Sequence, residues 1–192
     1  MPRDLRFELR PDERMERWRP LAHWMLGLPL ALVALLAVPI AAALVVVGAV
    51  GVLATGRWPD APARGLIGIR RFQYRVATYL ALVRRQRPAL AFVAAYEDPG
   101  DDPLRFDVRR PMPLHRWVPL VNWLLALPKL VMLAVLWIGA IFAVVVGAVS
   151  IALVGRWPHG LADFVVDVVR WQARVVGYVE FLTTDAPRFS EG

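Results

Sequence analysis

The chain has 192 residues, of which 58% are hydrophobic, and a mean hydropathy of +0.48. That is more apolar surface than a soluble core of this size hides, which excludes an ordinary water-solvated globule and directs the excess toward lipid. Lys and Arg number 23 against 16 Asp and Glu, a net charge of +7 that suits anionic headgroups; nucleic acid would attract the same charge, but the hydropathy selects the membrane, and no nucleic-acid partner is expected. With no cysteine, disulfides, thiolate metal sites and thiol nucleophiles are excluded.

In chain order, Leu5, Phe7 and Leu9 alternate with Arg6, Glu8 and Arg10, the period of a half-buried strand. Asp4, Glu8, Asp12, Glu13 and Glu16 precede the first apolar run, and the run is long for a signal peptide, so it is expected to stay in the mature protein. From Pro20 to Gly56 no carboxylate, lysine or arginine interrupts the chain. A spanning helix needs about 20 residues. Two arrangements fit this length: a short interfacial helix to Pro29 followed by one spanning helix, or a helical hairpin turning near Pro39 and Ile40. Arginines flank the run on both sides, Arg14, Arg17 and Arg19 before it and Arg57, Arg64, Arg70 and Arg71 after it, and the positive-inside bias favours the hairpin.

Gly56-Arg57-Trp58-Pro59 has the parts of a membrane exit: a helix-capping glycine, an arginine for phosphate, an interfacial tryptophan and a proline stop. Next comes a helix, Arg64 to Val83, whose arginines are too costly for the bilayer centre, so it is expected in the interface with Arg71 and Arg75 reaching headgroups. A linker, 89–103, closes the first part; its end, Glu97 to Pro103, is turn-rich, and Leu90 to Tyr96 within it is a candidate third strand.

The chain then begins again. Leu5-Arg6-Phe7-Glu8 returns as Leu104-Arg105-Phe106-Asp107, a shift of 99 residues (104 minus 5), and the same shift carries Trp24 onto Trp123, Pro29 onto Pro128, the Gly56 to Pro59 turn onto Gly155-Arg156-Trp157-Pro158, and Arg71, Gln73 and Arg75 onto Arg170, Gln172 and Arg174. One ungapped register over so many unusual residues implies two copies of one unit, 1–88 and 104–192, joined by the linker 89–103. The second apolar run, Val118 to Gly155, contains only Lys129, and its final helix is expected over Asp163 to Leu182 with Asp163, Asp167, Arg170 and Arg174 in one stripe. Gln73 and Gln172, opposite the stripes, are candidates for a hydrogen bond between the copies.

The strand at Leu104 to Arg109, the entry at Arg116 to Leu120, Leu127-Pro128, the Gly155 to Pro158 turn and the tail through Trp171 and Tyr178 to Asp185 resemble the bacterial and archaeal membrane proteins of domain of unknown function 4389. The second copy is the closer match; the first departs at Asp60-Ala61-Pro62 and Arg84-Arg85-Gln86. The resemblance implies the architecture and assigns no activity.

The fold expected is therefore an all-α integral membrane protein, a tandem repeat of strand, membrane helix or helical hairpin, and amphipathic interfacial helix, with a small surface sheet. His23, His115 and His159 fall opposite Asn122, Glu16 and Asp60 in the repeat register, so no histidine site is shared, and no catalytic, metal or cofactor site is expected. Candidate headgroup contacts are Arg57, Trp58, Arg71, Arg75, Arg156, Trp157, Arg170 and Arg174. The function expected is that of a non-enzymatic scaffold or accessory subunit in the cell membrane, basic flanks cytoplasmic, with lipids and a membrane protein complex as partners. The alternative is a small lipid-binding or transport protein using the crevice between the copies.

Overall fold

The computed structural model describes residues 5–100, 102–109 and 114–183. In chain order these form β1 (Leu5–Glu8), α1 (Arg19–Thr55), α2 (Asp60–Leu80), β2 (Arg105–Val108), α3 (Val118–Val154) and α4 (Leu161–Val179). Helices α1 and α3 are long and apolar enough to cross a membrane. Each has 37 residues, and α3 starts and stops 99 residues after α1.

The hairpin is not formed: α1 runs unbroken through Pro29 and Pro39, and α3 through Pro128. A proline removes one helical hydrogen bond, whereas a turn in an apolar setting strands several backbone groups, so the continuous helix is the lesser cost. Both helices open with proline in the first turn, Pro20 and Pro119, where its missing N–H is no loss. Both end on a left-handed glycine, Gly56 at φ 70° and Gly155 at φ 77°, whose N–H donates to Val52 and Ile151 carbonyls.

Helix α2 doubles back along α1. Leu80 packs over Gly27, Phe72 and Val76 against Leu30, and Leu44 lies over Gly65. Helix α4 does the same on α3, with Trp171 and Val175 against Leu133 and Phe164 over Gly139. The two halves then meet head to tail. The Met15 N–H donates to the Gly155 carbonyl (2.9 Å) at one end, and the Leu114 N–H to the Gly56 carbonyl (2.8 Å) at the other, so α1 and α3 run antiparallel.

Strands β1 and β2 pair antiparallel with Phe7 opposite Phe106, Leu5 opposite Val108 and Glu8 opposite Arg105. Phe7 and Phe106 stand 99 residues apart, the same separation as the limits of α1 and α3, and the antiparallel pairing puts an approximate two-fold axis through that pair. Segment 90–96 is not a third strand: it runs beside α2, where the Val93 and Ala95 carbonyls are taken by the Arg71 guanidinium.

Three layers result. Tyr74, which packs edge-on against Phe7 and Phe106, lies roughly 160° around α2 from the Phe72, Val76 and Leu80 face that meets α1. In α4, Leu5 covers Gly177 on the side away from Trp171 and Val175. Helices α1 and α3 therefore form one outer layer, α2 and α4 the middle, and the sheet the opposite outer layer.

Candidate functional site

The apolar layer is bare. Only 22% of the most apolar 18-residue stretch of α1, and 22% of that of α3, is buried. Leu28, Leu32, Leu35, Leu36, Val46 and Val50 stand exposed along α1, as do Leu124, Val131, Val135, Phe142 and Val149 along α3. A helix apolar on every side that buries one narrow face presents the remainder to whatever surrounds the protein. At the helix starts Trp18 (63%) and Trp117 (62%) are exposed, and Arg57 and Arg156 are exposed just past the helix ends.

The tryptophans of the two Gly-Arg-Trp-Pro turns do not join that surface. Trp58 folds back over Gly48 of α1 and donates its Nε1 hydrogen to the Glu180 carbonyl in the other half (3.1 Å). Trp157 covers Gly147 of α3 and donates to the Leu82 carbonyl (2.8 Å). A Cβ at either glycine would sit little more than 2 Å from the indole carbons, so only glycine admits the ring. Leu82 and the corresponding Phe181 adopt positive φ, 60° and 59°, and are buried; their apolar contacts offset a backbone strain of about 1 kcal/mol or more. Both tryptophans thus lock the halves together and do not contact headgroups.

The α2 stripe is likewise turned inward. Arg71 is 1% exposed: its Nη2 donates to the Phe106 carbonyl (2.8 Å), its Nη1 to Val93 (2.6 Å), and its Nε lies 3.0 Å from Asp98. The Arg75 Nη2 donates to both oxygens of Asp98 (2.8 Å to each), and Arg84 reaches both oxygens of Asp102 at 2.8 and 3.0 Å. The expected headgroup role of Arg71 and Arg75 is therefore corrected, because desolvated guanidinium groups require carboxylates and carbonyls, and Val93, Ala95, Asp98 and Phe106 supply them. In α4 the corresponding Arg170 is half-buried, pairing with Asp167 one turn away, and Arg174 is half-buried.

Gln73 does not reach Gln172. Its Nε2 donates to the Ala34 carbonyl of its own half (3.0 Å), and its Oε1 accepts from Arg70 (2.7 Å). Arg70 in turn donates from Nε to Glu180 of the other half (2.9 Å), so the link between halves exists but passes through an ion pair. Glu180 is buried; burial pushes its carboxyl above the ordinary range, opposed by Arg70, and its Oε2 has no partner among the described residues. The Gln172 Oε1 is buried and also lacks one.

His23 is spent on structure, with Nδ1 at 3.0 Å from the Arg19 carbonyl and Nε2 at 3.2 Å from the Arg84 carbonyl, its ring stacked on Tyr79. Among the described residues no three His, Asp or Glu side chains are grouped to hold a metal. Residue patterns missed Asp98, Asp102 and Glu180; the acidic run Glu97, Asp98, Asp101 and Asp102, next to a helix with inward arginines, was the available signal.

No curated protein and no solved structure matches the chain. Residues 119–191, from the first turn of α3 onward, match the family model described as Domain of unknown function (DUF4389), a single match within the chain.

Proposed function

We propose that this chain is a non-enzymatic membrane protein, a scaffold or accessory subunit whose α1 and α3 sit in hydrocarbon and whose arginine-bearing helix ends meet headgroups on the cytoplasmic side. The single observation that carries this reading is the bare apolar layer. The core helix of a soluble protein passes the same length and composition test but is mostly buried, and here only 22% of either stretch is. A position near the N-terminus suits a signal sequence for α1 but not for α3.

The first half is a diverged copy of the matched domain. Support comes from the common shift of 99 residues in the helix limits, the glycine caps, the tryptophans over glycine and the positive-φ pair Leu82 and Phe181. Membrane lipids are the first partners, contacted by Arg57 and Arg156, and a protein complex in the same membrane is the second. The test is mild detergent extraction of the tagged chain. A stoichiometric co-purifying protein supports the scaffold reading, and recovery of the chain as a detergent-free monomer in the soluble fraction overturns the membrane reading.

A further inference from the structure

Resting on that membrane reading, we infer that the protein crosses nothing: α1 and α3 lie flat in one leaflet, their axes in the membrane plane, with the sheet layer in water on the same side. The partner surface is thus a single lipid monolayer.

Length is the first reason. A straight helix of 37 residues extends roughly 55 Å, against about 30 Å of hydrocarbon. Fitting it inside would take a tilt near 57°, beyond the observed range of about 0–40°.

Height is the second. The Gln73 bond to Ala34 sets the middle of α2 beside the middle of α1, three residues from its midpoint at Ala37. At that same level lie Arg70 with Glu180, Arg71 with Asp98, and the two-stranded sheet on Tyr74. A bilayer crossed by α1 and centred on it would place these ion pairs at mid-membrane, at about 3 kcal/mol per charged group on insertion scales. It would also leave the sheet's open edges in hydrocarbon, where irregular backbone is not tolerated. Laying α1 and α3 flat lifts the entire sheet layer into water.

Charge is the third. The antiparallel pair has Arg14, Arg17, Trp18 and Arg156 at one end, and Arg57, Arg116 and Trp117 at the other, all exposed. A crossing would place one basic, tryptophan-marked end on each side of the membrane, against the positive-inside bias. In the flat orientation the approximate two-fold axis is the membrane normal, and both ends meet the same headgroup layer. The helix diameter of about 10 Å also matches the roughly 5–10 Å to which interfacial helices are buried.

The absence of cysteine makes the test direct. Single variants Glu8→Cys, Glu16→Cys and Thr55→Cys, all at exposed positions, are labelled with an impermeant maleimide in right-side-out and inverted vesicles. Nitroxides on Met25→Cys, Leu36→Cys and Leu53→Cys report depth. The expected result is labelling of all three polar sites from one side only, and equal, shallow depth for the three nitroxides. Labelling of the Glu16 and Thr55 variants from opposite sides overturns the inference in favour of a crossing. A Leu36 nitroxide at the bilayer centre or far side, with Met25 and Leu53 shallow, also overturns it. Each variant is first shown to fractionate with membranes and elute as one peak in detergent. Loss of the unmodified chain to the soluble fraction instead removes the membrane reading itself.

Discussion

Arg71 and Arg170 occupy corresponding positions in the two halves and are held in opposite ways. Removing the Arg71 guanidinium leaves Asp98 buried with half of its compensation, so Arg71→Met should cost about 3 kcal/mol or more. Arg170→Met, which breaks one pair within a turn at a partly exposed site, should cost less than about 1 kcal/mol. Thermal unfolding in detergent compares them, and equal losses would contradict the assignment. Glu180 gives a second test at this scale. Burial lets the folded chain keep the carboxyl proton to higher pH than the unfolded chain does. Its contribution to stability therefore falls as pH rises above the ordinary value of 4.5 and levels off once the folded carboxyl has ionised. Glu180→Gln should remove that part of the slope in melting temperature across this range, and an unchanged slope would clear Glu180 of it. The arginine stripe itself was legible in the sequence. Its direction was not, because periodicity gives a face without saying what covers it, and the cover here is a loop 22 or more residues away in the chain.

At the scale of elements, strand alternation gave β1 and β2, and the uncharged runs gave α1 and α3 nearly to the residue. What misled was the arginine on both flanks: the positive-inside bias favoured a hairpin turning near Pro39, but it does not weigh the one hydrogen bond lost at a proline against the several a turn would strand. Pro39 has Ile138 as its counterpart in an equally continuous helix, so Pro39→Ala should raise stability by about 1–3 kcal/mol. A lower melting temperature would mean that the proline supports a bend the helix needs. The Gly-Arg-Trp-Pro turns show a related limit. Their caps and stops were readable, but the inward swing of Trp58 and Trp157 depends on Gly48 and Gly147, ten residues earlier in each half, and on acceptors in the other half. Trp157→Ala should cost about 3–5 kcal/mol as a cavity beside Gly147, and Gly147→Val should reproduce much of that loss by expelling the ring. Intrinsic fluorescence and unfolding curves read both.

For the whole molecule, the contacts between halves are reciprocal, and neither half completes its own turns. Residues 104–192 expressed alone lack the Glu13 and Met15 partners of the second exit turn and the strand that pairs with β2. That fragment should aggregate, and co-expression with residues 1–103 should rescue it as a one-to-one complex, visible by size exclusion in detergent. The repeat made such mutual dependence foreseeable, but not its antiparallel sense, which follows from backbone bonds between each Gly-Arg-Trp-Pro turn and the segment that precedes the other half's long helix.

Reciprocity of this kind creates a hazard that the pinned linker answers. Halves that complete one another can do so across two chains as readily as within one, and a run of such exchanges, each chain lending its front to the next, has no natural stopping point. By clasping Val93, Asp98 and Asp102 beside α2, Arg71, Arg75 and Arg84 keep the second half within reach of its own first half, which favours pairing within the chain over exchange between chains.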